Sequence, residues 1–472
     1  MRKTKIICTI GPATATDQRI TELINNGMNV ARLNFSHGDH EQHARMIQKI
    51  RLISEQLDQP VGILQDLQGP KIRIGKIAEN AVKLIPGFVI SITMKPISGT
   101  SERISTTYTN LVNDVQPGDT LLLDDGLLKL KALSKTDDEI KCQVIEGGVL
   151  SSNKGINLPG IKISEPSLTE KDKIDLKFGI AHDVDFIALS FVRNSNDISK
   201  VKALIRDAGK EIPVIAKLEK PEAIADLDAI LQTADIAMIA RGDLGVEMPL
   251  EQVPSIQKRI IQQCQAFGVP VITATQMLES MRENPRPTRA EVSDVANAIY
   301  DGTDAVMLSA ETATGAYPIE AVQMLSRICE VAEQNYRQCE SADILHDYRE
   351  TLAIADATAS SACHAALELN ARAIVAFTQS GFTARVISKY HPRTAIIAFT
   401  PYIETQRQMS LFYGVNPLRM QVIENTDQVI AQVDRILLEK KLAQKGDVIV
   451  ITLGAPVYTR GTTNLMKLHQ II

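Results

Sequence analysis

Ile212-Pro-Val-Ile-Ala-Lys-Leu-Glu219 is an apolar run that ends in Lys217 and Glu219. Two residues apart, these side chains share one face of an extended segment. Asp235-Ile-Ala-Met-Ile-Ala-Arg-Gly-Asp-Leu-Gly-Val-Glu247 repeats the design: an apolar run, then Arg241, Gly242 and Asp243 where the strand gives way to a turn. Runs of this length and composition read as buried parallel strands. A carboxylate at the carboxyl end of such a strand points to where α/β proteins bind ligands. Two acids and one ammonium on neighbouring strand ends suit a Mg²⁺ or Mn²⁺ ion with a polarising cation beside it. Alone, a Lys-x-Glu or an Arg-Gly-Asp is better read as a solvated loop with a salt bridge, so the company they keep must decide.

The two strands belong to a longer alternation. Strands are expected at Lys5 to Ile10, Met28 to Phe35, Val61 to Asp66, Val184 to Ser190, Ile212 to Leu218, Asp235 to Ala240, Val269 to Ala274 and Asp304 to Leu308, separated by helical patterns. Eight strands alternating with helices predict an α/β protein built on a (β/α)8 TIM barrel. The rhythm breaks at Gly69-Pro70. From Lys71 to about Pro166 short strands and tight turns take over, with Asp124-Asp125-Gly126 as a hairpin signal. The expected organisation is a barrel from residues 1–69 and 167–340, a small β domain inserted at 70–166, and a second α/β domain at 341–472.

With the strand ends aligned, the reactive side chains collect at one end of the barrel. Strand two supplies Arg32, Asn34 and Ser36; strand three supplies Asp66, with Lys71 and Arg73 just beyond. Thr275 and Gln276 follow strand seven, and Ser309 and Glu311 follow strand eight. A structural role alone would scatter such groups over both ends. Several cations, a few acids and no Ser-His-Asp or Cys-His pairing suit a phosphorylated anionic substrate. No Walker loop and no Gly-x-Gly-x-x-Gly is present, so a nucleotide would bind through dispersed residues. His37, His40 and His43 imitate a zinc cluster, but nothing completes a ligand set, and solvated helix positions are the plainer reading.

Bulk properties narrow the class. The 51 basic and 56 acidic residues nearly balance, at net −5, which gives no support to nucleic-acid binding. Six scattered cysteines without Cys-x-x-Cys read as reduced thiols of a cytoplasmic protein. No apolar segment approaches the ~18 residues of a membrane span. After the strand expected at Ala373 to Phe377, the turn Thr378-Gln-Ser-Gly-Phe-Thr383 opens a helix at Phe382. Hydroxyls such as Thr378, Ser380 and Thr383 beside free N–H groups can hold a phosphate, or form an ordinary strand–helix turn.

Six motifs carry a resemblance. Met28-Asn-Val-Ala-Arg-Leu-Asn-Phe-Ser-His-Gly38, Gln68-Gly-Pro-Lys-Ile-Arg73, Ile239-Ala-Arg-Gly-Asp-Leu-Gly-Val-Glu247, Ala274-Thr-Gln-Met-Leu-Glu-Ser-Met281, Pro285-Arg-Pro-Thr-Arg-Ala-Glu291 and Met307-Leu-Ser-Ala-Glu-Thr-Ala313 resemble pyruvate kinases, in family order. The resemblance covers the chain from Arg2 onward. It implies a β-barrel lid inserted after strand three and a C-terminal domain carrying an effector site. It implies transfer of the phosphoryl group of phosphoenolpyruvate to ADP, giving ATP and pyruvate. By motif, Glu219 and Asp243 would hold the metal, and Lys217 would face the transferring group. Arg32 and Arg73 would grip phosphate, and Thr275 would assist protonation of the enolate carbon. Gly242 and Asp243 would shape the carboxylate pocket. Arg32, Asn34, His37 and the lid residue Lys154 would contact the nucleotide. A phosphorylated sugar, fructose 1,6-bisphosphate or a monophosphate, would be the activator at Thr378 to Thr383, and a homotetramer the usual assembly.

Three departures stand out. Thr314 replaces a lysine common in the family. The loop Gly454 to Asn464 differs from the family's usual sequence, which leaves the effector's identity open. Members that need potassium hold it with the residues matching Asn34, Ser36, Asp66 and position 67. Here position 67 is Leu67, without a hydroxyl, and Lys71 replaces a glutamate, so potassium is expected to be dispensable.

Overall fold

A computed structural model describes residues 2–335, 354–421, 426–454 and 463–472. The expected boundary at 340/341, Cys339 and residues 455–462 of the C-terminal loop lie outside the described residues. Eight parallel strands close into a barrel in chain order. Strand one is Lys5–Thr9, two Val30–Asn34, three Gly62–Asp66 and four Phe186–Leu189. Strand five is Val214–Leu218, six Ile236–Ala240, seven Val271–Ala274 and eight Ala305–Leu308.

Period-two alternation explains the near-continuous apolar strands. Ile7, Val30, Leu64, Phe186, Ile215, Met238, Ile272 and Met307 fill the barrel interior. Their neighbours Ile6, Ala31, Ile63, Ile187, Ala216, Ile239 and Val306 pack outward under the helices. Both faces are buried, so both must be apolar. The interior layer also contains Leu411, which comes from the C-terminal domain and closes the amino-terminal end of the barrel.

Three elements of the barrel differ from the sequence reading. Helix Glu170–Ala181 between the insertion and strand four was not anticipated. Its apolar residues are not gathered on one stripe, although Thr169 and Asp172 form a capping box at its start. The expected turn after strand six is the short helix Arg241–Glu247. The helix expected from Pro221 to Gln232 is two pieces, Pro221–Ala225 and Leu227–Thr233, that meet at Asp226.

The insertion between strands three and four holds a six-stranded sheet and a two-stranded sheet. They enclose an apolar cluster of their own, from Ile72 to Ile161. The Asp124-Asp125-Gly126 turn joins two antiparallel strands, all three residues having positive φ. The C-terminal domain is a five-stranded sheet with apolar layers on both faces. Two of its strands, Val415–Arg419 and Leu465–Gln470, were missed in the sequence. The first contains a proline and the second is exposed along most of its length, so neither shows a buried-strand pattern. Among the described residues no helix is long and apolar enough to cross a membrane.

Candidate active site

Strands two, three, four and five bring one charged cluster together at their carboxyl ends. Lys217 Nζ lies 2.6 Å from Ser190 Oγ, 3.0 Å from Glu219 Oε1 and 3.2 Å from Asp66 Oδ1. Arg32 Nε donates to Asp66 Oδ2 at 2.7 Å, and its Nη1 donates to Thr9 Oγ1 at 2.8 Å. The cluster is deeply buried: Asp66 and Glu219 are each 1% exposed.

The titration behaviour follows from who faces whom. Burial alone would push Lys217 down, but Asp66 and Glu219 reverse that and keep it charged. Burial would push Asp66 up, but Lys217 and Arg32 hold it below the usual carboxylate range. Glu219 moves the other way: burial raises it, Lys217 only partly opposes, and Asp243 adds a like charge. Both acids share Lys217, yet only Asp66 has a second cation.

Glu219 is therefore short of positive charge. Its Oε2 accepts from the main-chain N–H of Phe191 at 2.8 Å. Its Oε1, although 3.0 Å from Lys217 Nζ, is buried with no aligned hydrogen-bond donor. A buried carboxylate whose charge Lys217 only partly offsets, within the field of a second acid, Asp243, fits a divalent cation. Among the described residues no group of three or more His, Cys, Asp or Glu forms a closed metal cage. Two protein carboxylates with open positions suit a metal that also binds substrate oxygens.

Strand seven ends beside this cluster. Gly242 N donates to Thr275 Oγ1 at 2.8 Å, which ties the Asp243-bearing segment to Thr275. A Cβ at position 242 would stand 3.4 Å from that hydroxyl, in ordinary van der Waals contact. Glu311 is spent on structure: it is fully buried and accepts from Leu278 N and Ser309 N, bracing strand eight against the loop after strand seven.

The lid lies over the cleft. Asn157 Nδ2 donates to Glu247 Oε1 at 3.2 Å, and Lys220 Nζ holds the same oxygen at 2.7 Å. Lys71, Asp125, Asn157, Lys220, Asp243 and Glu247 all line the space between lid and barrel. Arg73 and Lys154 belong to the lid and do not join the charged cluster in this conformation. Arg73 Nη1 donates to Asn153 O at 2.8 Å, and Lys154 pairs with Asp124 at 2.8 Å. His37 is exposed at the mouth, and its protonation is disfavoured by partial burial and then by Lys71, Arg73 and Arg32. That locally positive field suits a polyphosphate.

Other residues singled out by the sequence have surroundings of their own. The Leu67 side chain packs in the core under the helices, and only its carbonyl, accepting from Ser190 Oγ at 2.7 Å, touches the site. Asn34 Oδ1 caps the Ser36 N–H at 3.0 Å. Lys71 is exposed and makes no ion pair with Asp66 among the described residues. His40 and His43 are not free helix positions: His40 binds Asp175 at 2.7 Å, and His43 stacks on Phe35 at 4.0 Å. Thr383 Oγ1 is bonded to Thr463 Oγ1 at 2.9 Å, Thr378 is 8% exposed, and Ser380 lines a cleft facing the barrel. Sequence reasoning passed over Thr9 and Ser190. Each is the polar residue that ends an apolar strand, which was the available signal.

A barrel with a buried Lys–Asp–Glu cluster, a carboxylate only partly compensated and a covering lid defines a metal-assisted enzyme acting on a small anionic substrate. Comparison with known proteins gives the family. Residues 1–322 match the pyruvate kinase barrel domain, and residues 356–469 match the pyruvate kinase alpha/beta domain. Pyruvate kinases from Staphylococcus aureus strains MRSA252 and USA300 are each 48% identical over 477 aligned residues, covering 100% of this chain and 81% of theirs. A crystal structure of a pyruvate kinase from Cryptosporidium parvum superposes with a TM-score of 0.94 at 40% identity, covering 100% of this chain and 96% of that one. The chain belongs to the pyruvate kinase family, whose enzymes work with a divalent metal ion.

Proposed function

We infer that this chain transfers the phosphoryl group of phosphoenolpyruvate to ADP, giving pyruvate and ATP. The observation that carries the reading is the cluster of Lys217, Asp66, Glu219 and Arg32, with Asp243 and Thr275 at its edge. Glu219 and Asp243 would hold Mg²⁺ or Mn²⁺, which when bound neutralises the substrate carboxylate and the developing enolate. Lys217, kept charged by Asp66 and Glu219, stabilises negative charge on the group in transfer. Arg32 and the lid's Arg73 grip phosphate. The Gly242 turn seats the carboxylate, and Thr275 helps deliver a proton to the enolate carbon. Arg32, Asn34, His37 and Lys154 take the nucleotide phosphates, and the lid excludes water while transfer occurs.

Three further properties accompany this reading. Potassium is dispensable: Leu67 offers the site no hydroxyl, and the Lys71 ammonium lies close enough to His37 to depress its protonation. A phosphorylated sugar acts at the Thr378, Ser380, Thr383 turn, from which Leu411, Val415 and His391 provide a physical route to the barrel floor. The chain works as a homotetramer in the cytoplasm. Strand Leu465–Gln470 ends its sheet as an edge with Leu465, Met466 and Leu468 exposed, a surface suited to a second copy. The deciding experiment is incubation with phosphoenolpyruvate, ADP and Mg²⁺. Pyruvate and ATP in equal amounts are expected, and no pyruvate would sink the assignment.

A further inference from the structure

One buried cation beside the site has no part in the chemistry described so far. Arg241 follows strand six directly, and its side chain is 9% exposed. It reaches across the end of strand seven. Its Nη2 donates to Thr275 O at 2.9 Å and to Gln276 O at 3.2 Å. Its Nη1 is anchored by Asp294 at 2.8 Å, from helix Arg289–Tyr300.

What it grips is unusual backbone. Thr275 and Gln276 have φ of +69° and +53°, two successive left-handed residues of which neither is glycine. For a β-branched residue this is an outlier, and it persists only where the surroundings over-determine it. The left-handed turn presents both carbonyls to one guanidinium, while Gly242 N holds the Thr275 hydroxyl. Thr275 is thus held at its carbonyl by the side chain of residue 241 and at its hydroxyl by the main chain of residue 242.

We propose that Arg241, anchored by Asp294, is a positioning residue for the reaction. It keeps Thr275 in its left-handed conformation and so fixes where the hydroxyl stands against the Gly242-Asp243 turn. The proposal rests on the proton-delivery role given to Thr275 above. Arg241 links the helix after strand six, which carries Asp243, to the end of strand seven, so the two parts of the site keep a fixed relation.

The test reads the proton step apart from phosphoryl transfer. Pyruvate, ATP and Mg²⁺ are incubated with the enzyme in D₂O, and enzyme-dependent exchange of the methyl protons is followed by NMR. Arg241→Met is expected to lower exchange and kcat by about a hundredfold, the scale of a misplaced reacting group, with the KM for phosphoenolpyruvate little changed. Gln276→Gly in that background is expected to recover much of the loss, because glycine takes a positive φ without steric cost. Asp294→Asn, which removes only the anchoring charge, is expected to fall between, and it keeps the proposal testable if Arg241→Met does not fold. Thr275→Val separates the two claims. Exchange that survives Thr275→Val removes the role of Thr275. Exchange lost in Thr275→Val but at the wild-type rate in Arg241→Met and Asp294→Asn overturns the positioning role alone. So does an Arg241→Met loss that appears equally in KM and is not relieved by Gln276→Gly.

Discussion

Replacing Lys217 by methionine keeps the length of the side chain and removes one charge from a buried cluster. Ser190 Oγ, Glu219 Oε1 and Asp66 Oδ1 lose a partner that stood at 2.6, 3.0 and 3.2 Å. Asp66 still has Arg32 at 2.7 Å. Glu219 is left with the Phe191 N–H alone and no ion pair. Breaking a buried pair on one side costs ~3–5 kcal/mol, because the remaining charge is uncompensated. Glu219 can bind a proton instead, so the loss shrinks as pH falls and grows as pH rises, the direction for an acid whose folded-state pKa is raised. The effect on turnover is separate. Removing one preorganised group that stabilises transition-state charge lowers kcat by about 10²–10³. The assay is initial-rate pyruvate formation at saturating ADP and Mg²⁺, well below the melting temperature of the variant. A fall in kcat of at least a hundredfold with nearly constant KM is expected, since the charge acts on the transition state. A raised KM with unchanged kcat would refute the reasoning, because Lys217 would then serve ground-state binding only.

Asp243→Ala should raise the Mg²⁺ concentration needed for half-maximal rate by at least about tenfold, because one of two protein carboxylates is lost. A titration curve that does not move would exclude Asp243 as a ligand. With potassium and ammonium replaced by a bulky organic cation, the wild type should stay near full rate, and Lys71→Glu should be slow until potassium is restored. A wild type inactive without potassium contradicts this. Lys5 is fully buried at the barrel floor, its Nζ donating to Val415 O at 2.6 Å, and burial followed by the Arg2 charge pushes it down to about 7. The ammonium is thus disfavoured on folding: the cost is full below pH 7, shrinks as pH rises towards the ordinary value, and is gone above it. From 10.5 to about 7 the cost is on the order of 5 kcal/mol at 1.36 kcal/mol per unit. Lys5→Met should therefore raise the denaturation midpoint at pH 7 and lose that advantage by pH 10. An advantage constant with pH would show that Lys5 is not the titrating group.

Some of this was legible because short-range rules suffice. Apolar runs of strand length, with helical patterns between them, gave the barrel, and side chains at the strand ends gave Arg32, Asp66, Lys217, Glu219, Asp243 and Thr275. Those positions follow from period and handedness, which each strand carries by itself. Helix Glu170–Ala181 escaped because its apolar residues are not on one stripe. The strand Leu465–Gln470 escaped because it lies exposed at a sheet edge.

What only the tertiary structure decided is which groups share a charge. The sequence places Lys217 two residues from Glu219, but it says nothing of Asp66, which lies 3.2 Å from the ammonium after a separation of 151 positions. That contact, with Arg32 on the far side, leaves Asp66 well compensated and Glu219 poor in positive charge, and so leaves Glu219 the carboxylate with charge to spare for a cation. The left-handed Thr275, its grip by Arg241, and Leu411 in the barrel interior are equally invisible from the chain. Each depends on burial and close approach between distant segments. Electrostatic energies inside a protein are set by those distances and by the exclusion of water, neither of which a residue carries in its own identity.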